Sequence, residues 1–570
     1  MSTVTRRDFL QVAAATAAMT GVPGMGRAAA LQTITQNELL KFDALGQVTL
    51  LHFTDNHAQL VPIYFREPSV NIGVGESAGL PPHLTGDHFL KAFSIKPGSR
   101  EAYAYTSDDF QALAKSYGRL GGLDRMATLI KSIRAERPGK TLLLDGGDSW
   151  QGSYTSLKER GADMVRAMNA LGVEAMTAHW EFTYGTARVK ELKAKLNFPF
   201  LCGNVKDATW GDWVFDSTKV FERGGSRIAV IGQAFPYTPI SNPRWLIPDW
   251  TFGIEEDRVR AEVQKARDAK ADVVVLLSHN GFDVDRKMAR RVAGIDVILS
   301  GHTHDAVPAS VMIGNTILIA SGSHGKFLSR LDLDVKGGRV VNHRFKLIPI
   351  FSDVIVPDPD MANLIADIRK PYQADLDRVL GHTDSLLYRR GNFNGTFDDL
   401  ICQALMHERE AEIALSPGFR WGATLLPGQA IRLEDLYAQT AITYPAAYRS
   451  SMTGEMLKSV LEDVADNLFN PDPYYQQGGD MVRVGGMSYA IDIAKPIGQR
   501  ISEMTLLRTG KPIDPAKNYV VSGWASVNQG TEGPAVYDVV QKYIEAQKVI
   551  TVPDRQVVRV SGADPQGIAN

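Results

Sequence analysis

Cysteine is nearly absent: Cys202 and Cys402 are the only two in 570 residues. A disulfide framework is therefore excluded, and ordinary buried cores must hold the chain together. Cys202 falls at a strand end and Cys402 on a helical stretch of the later part of the chain, so they read as two buried thiols in different domains, without catalytic work. A charge imbalance is missing too. Against 62 Lys+Arg stand 64 Asp+Glu, a formal net charge of −2, with a sequence pI near 6.7. Such a balance gives nucleic acid or an anionic membrane nothing to bind, so neither is expected as a partner. Beyond the amino terminus no apolar run approaches the ~20 residues a spanning helix needs. No internal repeat or long low-complexity tract occurs. What remains, with 44% hydrophobic residues, is a globular chain long enough for two or more domains.

Against these absences stands a concentration of metal-binding residue types between positions 50 and 305. They are Thr54-Asp55-Asn56-His57, Asp145-Gly146-Gly147-Asp148, His179-Trp180-Glu181, Ser278-His279-Asn280 and His302-Thr303-His304. Most follow a run that reads as a strand buried on both faces: VTLLHF before Asp55, TLLLDG before Asp148, VVVLLS before His279 and VILS before His302. Helical patterns at 120–134, 161–170 and 254–270 alternate with these runs, which predicts a mostly parallel sheet. In open sheets of that kind, ligands collect beyond the carboxyl ends of the strands, where these Asp and His residues fall. Imidazoles with carboxylates suit manganese, iron or zinc, and an aspartate shared by two ions can bridge them. Each segment alone has a structural alternative. Asp55 could cap a helix, Asp145 or Asp148 could sit in a glycine-supported turn, and a lone His at a strand end is often only hydrogen-bonded. Their joint placement favours a two-ion site.

The order Asp55-x-His57, Gly-Gly-Asp148, His179 ahead of Glu181-Phe182, Ser278-His279-Asn280-Gly281 and Gly301-His302-Thr303-His304 resembles the calcineurin-like metallophosphoesterases, specifically their 5′-nucleotidase branch. The likeness covers nearly the whole mature chain. It implies an α/β fold: a metallophosphoesterase-type β-sandwich flanked by helices, plus a smaller α/β C-terminal domain like that of the 5′-nucleotidases. By position it implies Asp55, His57 and His304 on one ion and His179, His279 and His302 on the other, with Asp148 bridging. One segment departs. Nucleotidases read Gly-Asn-His-Glu-Phe-Asp, where Asn is a ligand and His, held by the final Asp, is the catalytic acid. Here the stretch is Ala178-His179-Trp180-Glu181-Phe182-Thr183. His179 preserves the ligand, whereas Trp180 and Thr183 remove both halves of the acid dyad, and indole has no ionisable proton to give.

That pattern is similar to the thiosulfohydrolase branch of periplasmic sulfur oxidation. The resemblance implies two manganese ions, with zinc or iron as alternatives, and a metal-bridging hydroxide. The substrate it implies is a cysteine S-thiosulfonate on the SoxYZ carrier protein, cleaved to release sulfate, and the persulfide leaving group needs no acid. Asp148, His179, Trp180 and Arg420 are the expected catalytic residues, with Arg420 and Trp180 at the substrate. Arg420 ends the segment Leu415-Ser416-Pro417-Gly418-Phe419-Arg420, which aligns with a phosphate-binding nucleotidase segment, and a guanidinium fork matches an oxyanion. The stretch Gly478-Gly479-Asp480-Met481-Val482-Arg483 lacks the aromatic residue that nucleotidases stack on a base. A periplasmic 5′-nucleotidase or other phosphoesterase is the alternative, and a non-catalytic binding module the third reading.

The amino terminus, Thr5-Arg6-Arg7-Asp8-Phe9-Leu10 followed by an Ala-rich stretch and Ala28-Ala29-Ala30, reads as a twin-arginine export signal over 1–30, for a soluble periplasmic monomer. The predicted layout continues with a metallophosphoesterase domain at 31–355 carrying an insertion at 61–116, a linker helix within 356–380 (at 361–380), and the C-terminal domain at 381–570. The insertion, rich in Gly and Pro at 71–86, reads as a long functional loop.

Overall fold

The computed structural model describes residues 34–393, 395–553 and 557–569; the export signal expected at 1–30 lies outside them. The first part of the chain supplies strands β1 (Val48–Phe53), β2 (Thr141–Asp145), β3 (Ala175–Met176), β4 (Val205–Asp207), β5 (Thr218–Arg223), β6 (Ser226–Gln233) and β7 (Trp250–Phe252). Then follow β8 (Val273–Ser278), β9 (Val297–Ser300), β10 (Val311–Ile313), β11 (Thr316–Ala320), β12 (Phe327–Lys336) and β13 (Arg339–Pro349). Two large sheets result, in the orders β13-β12-β1-β2-β3 and β10-β11-β9-β8-β6-β5, and β4 and β7 form a separate two-stranded sheet. Val48, Leu50, Leu142 and Leu144 of the first meet Val230, Val275, Leu277 and Leu299 of the second in one buried layer. The outer faces are covered by helices. Leu51, Phe53 and Leu143 pack with the helix Leu123–Glu136, while Ile231, Val274 and Leu276 pack with Glu256–Asp268 and Phe282–Arg291. Burial on both faces explains why β1, β2, β8 and β9 are apolar without alternation.

The central pairs, β1-β2, β2-β3, β6-β8, β8-β9 and β9-β11, are parallel. Antiparallel pairing comes in through β12, β13, β5 and β10. Register then decides where the site lies. Phe53 is level with Asp145 and Asp145 with Met176 in one sheet, and Gln233, Ser278 and Ser300 are level in the other. The loops leaving β1, β2 and β3 therefore start from one edge, as do those leaving β8 and β9.

Two expectations need correction. The linker helix at 361–380 is shorter: it spans Pro359–Arg369, gives way to a 3-10 turn at Lys370–Tyr372, resumes at Gln373–Leu376, and is followed by the strand Val379–Thr383, which contains Leu380. Pro371 is the cause, since it lacks an N–H and its ring obstructs a continuing helix. Nor is the insertion, read as a long functional loop, a loop throughout. It carries the helices Gly86–Ala92, Arg100–Tyr105 and Phe110–Tyr117, and Phe89, Tyr103, Phe110 and Tyr117 belong to the main core. Even its Gly/Pro-rich part is tied down, by Asn71 Nδ2 donating to Asp305 Oδ1 at 3.0 Å and by His83 Nε2 lying 2.8 Å from Asp283 Oδ2. Phe89→Ala should accordingly destabilise the protein by about 3–5 kcal/mol in denaturant unfolding, as a core truncation does; an effect near zero would return the insertion to a peripheral excursion.

Beyond residue 380 the chain forms further sheets and the helices Thr396–Glu408, Gly454–Phe469 and Val536–Gln547. Cys202 and Cys402 are both buried and free, as expected. Among the described residues no helix is long and apolar enough to cross a membrane.

Candidate metal centre

The structure brings together all seven side chains expected to bind metal. The donor atoms of Asp148, His179, His279 and His302 lie within 4.8 Å of one another, and so do those of Asp55, His57, Asp148 and His304. Asp148 belongs to both groups. Much of the set rides on left-handed backbone, with φ of 52° at Asp55, 49° at His57, 58° at Asp148, 75° at His302 and 60° at His304. Residues with a Cβ resist that conformation, and it persists where the surroundings impose it. Here main-chain hydrogen bonds do so: Asp55 N–H to the Gly147 carbonyl, His57 N–H to Asp148 and His324 N–H to Asp55, each at 2.8 Å.

Hydrogen bonds behind the rings orient their inner nitrogens. His57 Nδ1 faces the Gln151 carbonyl at 3.3 Å and His302 Nε2 the Gln477 carbonyl at 3.3 Å. Each of these nitrogens must donate, so the opposite nitrogen keeps a lone pair for a metal. His57 Nε2 and His304 Nε2 approach to 3.1 Å. His279 Nδ1 lies 2.6 Å from the Gly146 carbonyl, and its Nε2 lies 3.2 Å from Asp148 Oδ2 and 3.6 Å from Asp55 Oδ1. A ring with acceptors on both sides requires positive charge between itself and the carboxylates, whether proton or metal. The electrostatic surroundings point the same way. Burial pulls His279 down, but Asp148 and Asp55 outweigh it and push it up to about 10. Burial pushes Asp148 up, yet His179 and His279 hold it well below the usual carboxylate range. His302 and His304 are driven well down, chiefly by burial, which favours the neutral form that binds a metal. The residues fit two divalent ions, and the donor set suits manganese, iron or zinc alike.

Sequence reading gave no role to the residues that hold this set in place. Glu181 is fully buried and accepts N–H groups from Ser149 at 2.7 Å, His179 at 2.8 Å, Trp150 at 3.2 Å and Asp148 at 3.3 Å. It fastens the Asp148 loop to the His179 loop; its place in the segment His179-Trp180-Glu181 was the available signal. Glu181→Ala would leave several buried donors without acceptors, at roughly 1–3 kcal/mol each. Loss of more than about 3 kcal/mol in urea unfolding is expected, and a change within experimental error would contradict this role. His324 is also fully buried. Its Nε2 accepts the Gly422 N–H at 3.1 Å, and its ring stands 5.4 Å from that of His57. Arg390 donates to the Thr303 carbonyl at 2.9 Å, between two candidate ligands.

Beside the donor set opens a cavity of about 810 Å³, lined by His57, Asp148, His179, Trp180, His302 and His304 together with Phe419, Arg420, Trp421, Tyr444 and Trp524. Trp180 is buried at 5% exposure against Trp421 and Phe419, with ring centroids 4.7 and 5.2 Å away. Its main-chain N–H donates to Asp148 Oδ1 at 2.6 Å. The Thr183 hydroxyl donates to the Trp180 carbonyl at 2.8 Å. Arg420 donates to the Gly479 carbonyl and lies 3.5 Å from Asp480 Oδ1, while its Nη1 has no partner. Met481 is fully buried, and the cleft's rings besides Trp180 include Phe419, Trp421, Tyr444 and Trp524, which the sequence did not single out as stacking residues.

Residues 379–541 match the family described as 5'-nucleotidase, C-terminal domain. Among curated proteins the chain is similar to the 5'-nucleotidase of Bos taurus, 26% identical over 452 residues that make up 71% of this chain and 76% of that protein. The 5'-nucleotidase of Mus musculus is 24% identical over 518 residues, 81% of this chain and 86% of that one. Among solved structures, a 5'-nucleotidase precursor from Thermus thermophilus shares the fold, with a TM-score of 0.72 at 20% identity over 90% of this chain and 99% of the other. The sulfate thiohydrolase SoxB of Thermus thermophilus is far nearer, with a TM-score of 0.88 and 36% identity over 92% of this chain and 98% of that one. At that identity and coverage the chain is a hydrolase and belongs to the SoxB family, a branch of the 5'-nucleotidase-like proteins.

Proposed function

We propose that this protein is a thiosulfohydrolase of the sulfur-oxidation pathway, acting in the periplasm on a cysteine S-thiosulfonate carried by SoxYZ. One observation carries the reading: a complete dinuclear donor set stands beside a buried tryptophan where a phosphomonoesterase needs its acid. Among the described residues the histidines lining the cleft are His57, His179, His302 and His304, all in the donor set, which leaves none over to protonate an alkoxide. The reaction requires none. Water attacks the terminal sulfur, the bond between the sulfane sulfur and the sulfonate breaks, and Cys–S–S–SO₃⁻ with H₂O gives Cys–S–S⁻, SO₄²⁻ and two protons.

Asp55, His57, Asp148 and His304 would hold one ion and Asp148, His179, His279 and His302 the other, manganese being the proposed metal. When bound, such a pair supplies Lewis acidity and lowers the pKa of water enough to provide a nucleophile near neutral pH. Arg420, with one guanidinium nitrogen unpartnered, grips the sulfonate. The rings of Trp180, Phe419 and Trp421 wall off solvent and offer the sulfane sulfur an apolar surface. A phosphoesterase acting on nucleotides is the second reading, favoured by those same rings, which could stack a base. Hydrolysis of an S-thiosulfonated carrier in ¹⁸O-water separates the two: sulfate carrying a single heavy oxygen, with persulfide left on the carrier, is the expected outcome, and absence of sulfate would refute the proposal.

A further inference from the structure

Trp421 is 1% exposed, and its indole Nε1 has no hydrogen-bond partner. A buried indole N–H ordinarily finds an acceptor. Among the described residues one other buried indole, that of Trp150, shares this state; both rings belong to hydrophobic cores, but Trp150 is not among the residues lining the cleft. Trp421 instead lines the cleft beside His57, Asp148 and Trp180.

The ring is held firmly. It stacks on Phe419 with centroids 4.1 Å apart and an interplanar angle of 18°, meets Trp180 nearly edge-on at 4.7 Å, and stands 5.6 Å from the His57 ring. The next residue, Gly422, has φ of 135°, and a Cβ there would come within 2.1 Å of Gln439 Oε1. Its N–H is fixed to His324 Nε2, and His324 is fixed in turn to the Asp55 carbonyl. The loop bearing Trp421 is thus pinned to the metal loops, and loop slack does not account for the missing partner. Arg420, immediately before it, also has an unpartnered donor and lines the same cleft. Two donors without acceptors on consecutive residues call for a ligand that brings acceptors.

We propose that Trp421 is a substrate-binding residue whose indole N–H donates to a sulfonate oxygen of the bound substrate, alongside Arg420. The sulfonate's identity rests on the thiosulfohydrolase reading; the oxyanion contact does not. A neutral donor suits this position, because it binds an oxyanion without adding charge beside two cations.

The test uses the full-length protein loaded with zinc, which is diamagnetic, and ¹⁵N-labelled in its eight tryptophans. Trp421→Phe removes one indole resonance and so assigns it while keeping an aromatic ring. Sulfate and, separately, thiosulfate should each move that resonance downfield and saturably, while that of Trp150 stays in place. Trp421→Phe should weaken sulfate binding about tenfold, as loss of a hydrogen bond to a charged group does, with metal content unchanged. No movement with either anion, or equal sulfate affinity in the variant, would overturn the proposal. So would movement with thiosulfate alone, which would put the N–H on the sulfane sulfur. A sulfate-induced shift in a protein that releases no sulfate from an S-thiosulfonate would support the contact and overturn only the reaction assigned above.

Discussion

Asp148→Ala should reduce bound metal from about two ions per chain to nearly none and lower turnover by more than about a thousandfold, since metal catalysis supplies several kcal/mol and each 1.36 kcal/mol is tenfold. The expectation follows from one carboxylate serving both halves of the site. Asp148 Oδ2 lies 3.1 Å from His179 Nδ1 and 3.2 Å from His279 Nε2 on one side, and 3.8 Å from His57 Nε2 on the other. Meanwhile Oδ1 is anchored by the Trp180 N–H. Elemental analysis of the purified variant is the check; retention of both ions would remove Asp148 from the shared position. His179→Ala gives a milder contrast, weakening one ion preferentially, and His179→Asn should partly restore it because an amide oxygen can replace the imidazole.

Rebuilding the missing acid is the second large effect. Trp180→His with Thr183→Asp should raise phosphomonoesterase activity by about 10²–10⁴-fold over a negligible background, the range of a positioned general acid, and should lower thiosulfohydrolysis. The two positions are already coupled, since the Thr183 hydroxyl donates to the Trp180 carbonyl at 2.8 Å. The main-chain N–H that Trp180 gives to Asp148 survives any side-chain change there. What is lost is the packing of the indole against Phe419 and Trp421; full truncation of a packed Trp would cost about 3–5 kcal/mol. Unfolding midpoint and metal content therefore have to be measured on the same preparation. A folded, metal-loaded double variant with no gain toward phosphomonoesters would show that the missing dyad is not what separates the two activities.

Much of the centre was readable because local pattern and position coincide in it. The apolar runs ending at Phe53, Asp145, Ser278 and Ser300 mark strands buried on both faces, and a parallel sheet sends their loops to one edge. The same pattern did not reveal Glu181, His324 or Arg390, whose work is defined by main-chain groups far away in sequence: 32 residues separate Glu181 from Ser149 and 98 separate His324 from Gly422. The helices at Arg100–Tyr105 and Phe110–Tyr117 span 6 and 8 residues, too short for periodicity to declare against a Gly/Pro-rich background. The aromatic wall escaped notice for the opposite reason. Phe419, Trp421, Tyr444 and Trp524 show no spacing that sets them apart, and only the folded chain gathers them around Trp180.

The central claim is that this dinuclear site is specialised for a substrate whose leaving group needs no proton. It is tested most directly by measuring kcat/KM of the manganese-loaded wild type for sulfate release from S-thiosulfonated SoxYZ and for phosphate release from a nucleoside 5′-monophosphate in one preparation. Efficient sulfate release with phosphate release near background is predicted; efficient phosphate release by a protein without the acid dyad, with no sulfate formed, would contradict it.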